Sequence, residues 1–181
     1  MWTLEYTLSQ ICVILALVCM CLSYLTKNKI YILLLCTLST ILYGVQYGLL
    51  GAWTGVAINI VGMVRGIWFY FNDKKGKTHD YVSIIVLSVS LIVLGILTYE
   101  SIFSLVATLA MTLFTYTLWQ NKLVVYRLMA PFISILWITY NTYNNSIFAI
   151  ITELILMVFE IIGIIKYFKD KHRKNNTESK L

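Results

Sequence analysis

Residues 30–64 read IYILLLCTLSTILYGVQYGLLGAWTGVAINIVGMV and hold no charged side chain. A bilayer core about 30 Å thick takes about 20 helical residues to cross. The run is therefore too long for one crossing and suited to two. Gly48, Gly51 and Gly55 surround Trp53, and glycine lets a chain reverse tightly, so a turn is expected near residues 50–53. Helices over 30–49 and 53–71 follow from that division.

The same reading extends outward. Residues 6–26 are uncharged and make one crossing, ended by Lys27 and Lys29. Beyond residue 71 comes the loop NDKKGKTHD, then an apolar run over 81–97 and a tight turn, TYES. Further helices are expected over 102–119, 123–140 and 146–168, separated by Gln120-Asn121-Lys122 and by NTYNN. The tail KDKHRKNNTESKL is polar and is expected to be disordered. Of the 181 residues 60% are hydrophobic and 12% charged, against about 25% charged in soluble domains, which excludes the ordinary globular class. The first ten residues carry Glu5 and no Lys or Arg. A secretory signal starts with a basic region, so the first apolar run is expected to stay in the mature protein.

Charge placement tests the count. Basic residues concentrate in cytoplasmic loops. In a seven-helix arrangement, Lys27, Lys29, Lys74, Lys75, Lys77, Lys122, Arg127 and the Lys and Arg residues from Lys166 onward all fall on one side. Of the fourteen Lys and Arg residues, Arg65 alone lies within a span. The expected class is an all-α membrane protein of seven transmembrane helices, N-terminus outside and C-terminus cytoplasmic. Trp2, Tyr6, Trp53, Tyr99, Tyr140 and Tyr143 would mark the outer interface, and Tyr24, Tyr70, Trp119 and Tyr167 the inner one. The net charge of +6 then reflects topology and anionic headgroups, and no nucleic-acid partner is implied. Cys12, Cys19, Cys21 and Cys36 lie in apolar runs, and His79 and His172 in charged segments. No metal site or cofactor is expected from them.

Two halves of the chain look alike. Asn28-Lys29 and Asn121-Lys122 each open the second helix of a set of three. The third and seventh helices end alike, in Tyr70-Phe71-Asn72-Asp73-Lys74 and Tyr167-Phe168-Lys169-Asp170-Lys171. The division is a first bundle over 1–72, a loop and linker helix over 73–98, a second bundle over 99–168 and a tail over 169–181. This is a 3+1+3 parallel repeat, since the odd linker crossing gives both bundles one orientation.

Ionisable side chains at mid-membrane cost about 2.5–3.5 kcal/mol on insertion scales and are functional candidates. Arg65, Glu153 and Glu160 qualify, joined by Asn59. Arg65 and Glu160 sit at similar depth and are expected to form an intramembrane ion pair; a snorkelling Arg65 is the plainer alternative. Asn59 and Glu153 are expected to face one another across a central cavity, with Trp137 and Asn141 as further substrate-binding candidates. For Trp137, Tyr140 and Asn141 an interfacial belt is the competing reading. Gly55, Gly62 and Gly66 share a face of the third helix with Asn59 and suit close helix packing or, alternatively, an oligomer contact. Pro131 should kink the sixth helix. No catalytic signature such as HExxH, GxSxG or a Walker loop occurs, so no enzyme is expected, and none of these residues is assigned a catalytic role.

The stretch Tyr43-Gly44-Val45-Gln46-Tyr47-Gly48-Leu49-Leu50-Gly51, with Asn59 and Arg65, resembles the YgjV-like bacterial inner membrane proteins. Lys122, Arg127, Trp137, Tyr140-Asn141, Ser146-Ile147 and Glu153 continue the resemblance, which covers roughly residues 10–171. It implies a fold similar to SWEET, PQ-loop and PnuC-type transporters, although the chain has no Pro-Gln motif and only one proline. The function expected is a carrier of a small polar metabolite, working between two three-helix bundles in the lipid bilayer. The alternative is a non-transporting scaffold, sensor or immunity protein, contacting partners or a second copy through the Gly62–Gly66 face and the basic tail.

Overall fold

The structure, a computed structural model, describes residues 4–77, 80–120, 122–144 and 146–178. Trp2, His79, Asn121 and Asn145 lie outside the described residues. Among the described residues seven helices run in sequence: α1 Leu4–Leu25, α2 Lys29–Leu49, α3 Trp53–Lys74, α4 Tyr81–Leu97, α5 Ile102–Trp119, α6 Leu123–Tyr143 and α7 Ile147–Glu178. All except α4 are long and apolar enough to cross a membrane. The α2–α3 turn falls where the glycines place it, with Gly51 at φ 72°. Asn28 caps α2, its side chain accepting the Ile30 N–H at 3.0 Å. The tail departs from expectation, because α7 continues as helix through Glu178; no Gly or Pro interrupts residues 164–178. Pro131 lies within α6.

The distribution of side chains is that of a protein in lipid. Leu8, Ile11, Leu15, Val18 and Leu22 of α1 face outward, whereas Ser9, Ser23 and Tyr24 are buried. Buried hydroxyls satisfy themselves within their own helix: Thr40 donates to the Cys36 carbonyl at 2.8 Å and Thr108 to that of Ser104 at 2.9 Å. That solution is open to Ser and Thr where no water competes.

The helices close into a ring. α2 lies between α1 and α3, α6 lies between α5 and α7, and the two groups meet where α1 touches α7 and where α3 touches α5. α4 sits outside the ring in the groove between α3 and α5, burying Ser83, Leu87, Leu91 and Gly95. Helix-end contacts sort the molecule into two ends. At one, Lys29 pairs with Asp73 at 2.8 Å, Asn72 donates to Asp80 at 2.8 Å, and the Trp119 indole donates to the Asp80 carbonyl at 3.0 Å. At the other, Thr54 donates to the Thr98 carbonyl at 2.7 Å.

Small residues set the spacing of α2 and α3. A Cβ on Gly55 would meet the Tyr47 ring at 2.5 Å, one on Gly62 would meet the Thr40 methyl at 2.7 Å, and one on Gly66 would overlap Thr37. The glycine face is thus occupied by α2 of the same chain, which removes it as the surface for an oligomer or partner.

Two outcomes follow. A side chain at residue 66 would bring its Cβ to 2.8 Å from Thr37 Cβ, so Gly66→Val must force the two helices apart. Such overpacking costs about 1–3 kcal/mol. The melting temperature in detergent should drop, and Thr37→Ala added to it should restore part of the loss; an unchanged value would refute the close approach. Asp80 caps α4 through the Val82 N–H at 3.1 Å, and the Asn72 hydrogen bond, with the backbone donors, holds its carboxyl below the usual 3.8. A depressed carboxyl contributes stability above its unfolded pKa and loses it as pH falls through the folded value. Melting temperature should therefore fall in acid, and Asn72→Ala should flatten that fall.

Candidate functional site

The ring helices line a cavity of about 50 Å³, room for roughly three or four waters. All six ring helices contribute to its wall and α4 contributes nothing. Met20 and Tyr24 come from α1, Ser39, Thr40, Tyr43 and Tyr47 from α2, and Asn59 from α3. Met111 and Phe114 come from α5, Ile133, Ser134 and Trp137 from α6, and Glu153 and Leu156 from α7. The wall is mainly apolar with a few convergent polar groups, the usual make-up of a small-molecule site.

Asn59, Glu153 and Trp137, expected at a central site, line this one cavity. Asn59 donates to the Gly55 carbonyl at 2.7 Å, the bond open to a polar residue one turn along a helix. Asn141 lies one step back from the wall, where it accepts the Tyr47 hydroxyl proton at 3.3 Å. Tyr140 packs edge-on against Tyr47 and Trp137. Tyr140 and Asn141 are buried, so they form no interfacial belt, and Tyr24, expected at the inner interface, is buried at the cavity too.

Arg65 and Glu160 do not pair. Arg65 turns away from α7 to α5, donating from Nη1 to Thr115 Oγ1 at 3.1 Å and to Met111 Sδ at 3.2 Å. Its guanidinium lies 4.7 Å from the Phe114 ring centroid. Glu160 instead accepts from Ser134 at 3.0 Å. Similar depth does not fix azimuth: α3 meets α5 in the ring, whereas α7 meets α1 and α6. Arg65 Nε and Nη2 and Glu160 Oε2 have no protein hydrogen-bond partner. Glu153 and Glu160 do share one face, with Ser134 beside both.

Sequence reasoning missed a second buried cation. Arg127 reads as a loop marker, yet it stands in the second turn of α6 and is 2% exposed. It donates to the carbonyl of Thr26, just past α1, at 3.2 Å and to that of Gly163 in α7. Also missed were the hydroxyls of Ser39, Thr40, Tyr43 and Tyr47. Their spacing of one, four and eight along α2 is a polar stripe on one helical face, and it carried the signal. The Ser39 and Tyr43 hydroxyls have no protein hydrogen-bond partner, which is uncommon for buried polar atoms.

A second cavity of about 120 Å³ opens at the basic end, lined by Lys27, Lys29, Lys122, Leu33, Leu118 and Tyr126 among others. One aromatic layer separates the two. Tyr126 of the basic cavity stacks on Tyr24 of the central one, centroids 5.4 Å apart. The Tyr126 hydroxyl shares a hydrogen bond with Ser23 at 2.9 Å and a contact with Cys36 Sγ at 3.6 Å.

A family model described as Imp-YgjV, bacterial inner membrane protein, matches residues 7–171. No curated protein and no solved structure matches the chain.

The two arginines differ in a way that stability measurements read directly. Arg127 ties three helices through two backbone carbonyls, whereas Arg65 leans on a hydroxyl, a thioether and an aromatic face, weaker acceptors that offset its desolvation less. Arg127→Met should lower the melting temperature clearly, by the equivalent of about 2–3 kcal/mol. Arg65→Met, similar in volume and fully apolar, should leave it level or raise it. A larger loss at Arg65 than at Arg127 would reverse this ranking.

Proposed function

The chain belongs to the Imp-YgjV family of bacterial inner membrane proteins, and from that footing we propose that it is a small-solute carrier whose binding site is the cavity of the helix ring. It is a multi-pass inner membrane protein, with six helices suited to crossing the bilayer. The observation that carries the proposal is the wall of the central cavity. There, Glu153 and Asn59 stand with the unpartnered hydroxyls of Ser39 and Tyr43 between two groups of three helices. Polar atoms buried in hydrocarbon without partners are costly. A polar solute bound at the centre would give them partners. Glu153 would accept hydroxyl or cationic groups of the solute or carry a proton, and Trp137 would offer a face for an apolar part.

In this reading α4 is a seventh crossing. Its 17 residues span about 26 Å, and its ends meet helix ends at both extremes of the molecule. The basic end faces the cytoplasm and the N-terminus lies outside, as the placement of Lys and Arg favours. The two groups of three are copies of one unit in parallel orientation, with α4 as linker, an arrangement similar to that of SWEET transporters. Rocking of one group against the other would break the Tyr24–Tyr126 layer and join the two cavities. The central cavity at about 50 Å³ is then a contracted, closed state that enlarges around its solute.

The direct experiment is a thermal-unfolding screen of the purified protein against sugars, nucleosides including nicotinamide riboside, amino acids and polyamines. Wild type and Glu153→Gln are run side by side. One ligand class should stabilise wild type, by about 2.7 kcal/mol at a hundredfold excess over Kd, and should fail to stabilise the variant. A flat response across the panel, with the variant as stable as wild type, would sink the carrier reading.

A further inference from the structure

We propose that Tyr47, Tyr140 and Asn141 form the gate through which the central cavity opens to the outside, and that this gate yields before the closure at the basic end. The inference rests on the carrier reading above and adds to it the control of access to the site.

In the ring, α2 and α6 stand opposite one another, with α1 and α7 between them on one side and α3 and α5 on the other. Side chains of these two helices nevertheless meet across the ring at two levels. Toward the basic end, the Tyr126 hydroxyl of α6 reaches Cys36 Sγ of α2 at 3.6 Å. Toward the other end, the Tyr47 hydroxyl of α2 donates to Asn141 Oδ1 of α6 at 3.3 Å. The Tyr47 ring also packs edge-on to Tyr140, centroids 6.4 Å apart. Between the two levels lie cavity-lining residues of the same helices, Ser39, Thr40 and Tyr43 of α2 and Ile133, Ser134 and Trp137 of α6. One pair of opposed helices therefore closes the cavity at both ends. Tyr47, Tyr140 and Asn141 are all buried, as a seal requires.

The two closures differ in strength. At the basic end Tyr126 also hydrogen-bonds Ser23 at 2.9 Å and stacks on Tyr24 at 5.4 Å, so α6 is tied there to α1 as well as to α2. The other closure crosses the ring to α2 through one hydrogen bond and one edge contact between rings. At 3.3 Å that bond is longer than a good O–H···O contact. The weaker closure thus lies at the end away from the lysines, which the carrier reading places outside. Its fixed side is Tyr47: a Cβ on Gly55 would come within 2.5 Å of the Tyr47 ring, so the ring is seated against the backbone of α3. The moving side is the end of α6, which would carry Tyr140 and Asn141 away from it.

Access is read with a reporter thiol and needs no solute. The four cysteines are replaced (Cys12→Ala, Cys19→Ala, Cys21→Ala and Cys36→Ser, the last keeping a hydrogen-bonding atom opposite Tyr126), and Ser39→Cys puts one thiol in the cavity wall. Right-side-out and inside-out membrane vesicles are treated with a membrane-impermeant methanethiosulfonate cation, and the labelling rate is measured from each face. Tyr47→Phe keeps the ring and removes the hydrogen bond. Labelling from the outer face should rise about fivefold, the factor one hydrogen bond supports, with the cytoplasmic-face rate unchanged. Asn141→Ala removes the acceptor and should act alike, and the two together should add little, because both break one bond. Tyr126→Phe should instead speed labelling from the cytoplasmic face. Melting temperatures check that each variant is folded. An unchanged outer-face rate in both Tyr47→Phe and Asn141→Ala, additive rises, or equal rises from the two faces would overturn the gate. A flat ligand screen beside gated labelling would count against the carrier reading alone.

Discussion

A charge held within hydrocarbon has to be covered by protein, and two arginines are covered in this way. Arg65 and Arg127 are 1% and 2% exposed. Each bridges one of the two seams at which the three-helix groups meet: Arg65 reaches from α3 to α5, and Arg127 from α6 to α1 and α7. A six-helix ring has no hydrophobic effect to hold it shut inside lipid, where helix association rests on packing and polar contacts. The arginines supply the polar contacts at the seams. The glycines of α3 supply the close packing within one group.

The two seams are not equivalent. Arg127 is held by full carbonyl acceptors at both helices it joins. Arg65 leans on a hydroxyl, a thioether and an aromatic face, weaker acceptors than backbone carbonyls. Met111 and Phe114, which hold it, are also walls of the central cavity. Both seams border the candidate site, the α3–α5 seam through Asn59, Met111 and Phe114 and the α1–α7 seam through Met20, Tyr24, Glu153 and Leu156.

The polar content of the interior follows the same economy. Most buried hydroxyls are satisfied inside their own helices and ask nothing of their neighbours. Others line the central cavity, at Ser39, Tyr43, Ser134 and Glu153, and Ser134 donates to Glu160 beside it. A scaffold with no ligand gains nothing from such a cluster, since apolar residues would fill the same volume at lower cost. In the proposed carrier reading, this cluster is what a polar solute would meet.

The sequence alone determined the number of helices, their bounds to within a few residues except at the end of α7, the glycine turn at Gly51 and the gathering of charge at one end. These depend on hydropathy and on the length needed to cross a bilayer, both local properties of the chain. It also placed Asn59, Glu153 and Trp137 at the centre, because depth along a helix can be counted from its ends. Azimuth cannot be counted in that way. Which face of α3 meets which helix depends on the order of the ring, so Thr115 and Met111 take the place beside Arg65 that depth alone assigns to Glu160. Arg127 reads as a surface charge because it lies near a helix start, and only the convergence of α1 and α7 on that turn buries it. The basic cavity, too, exists only because two connections distant in sequence close over one space.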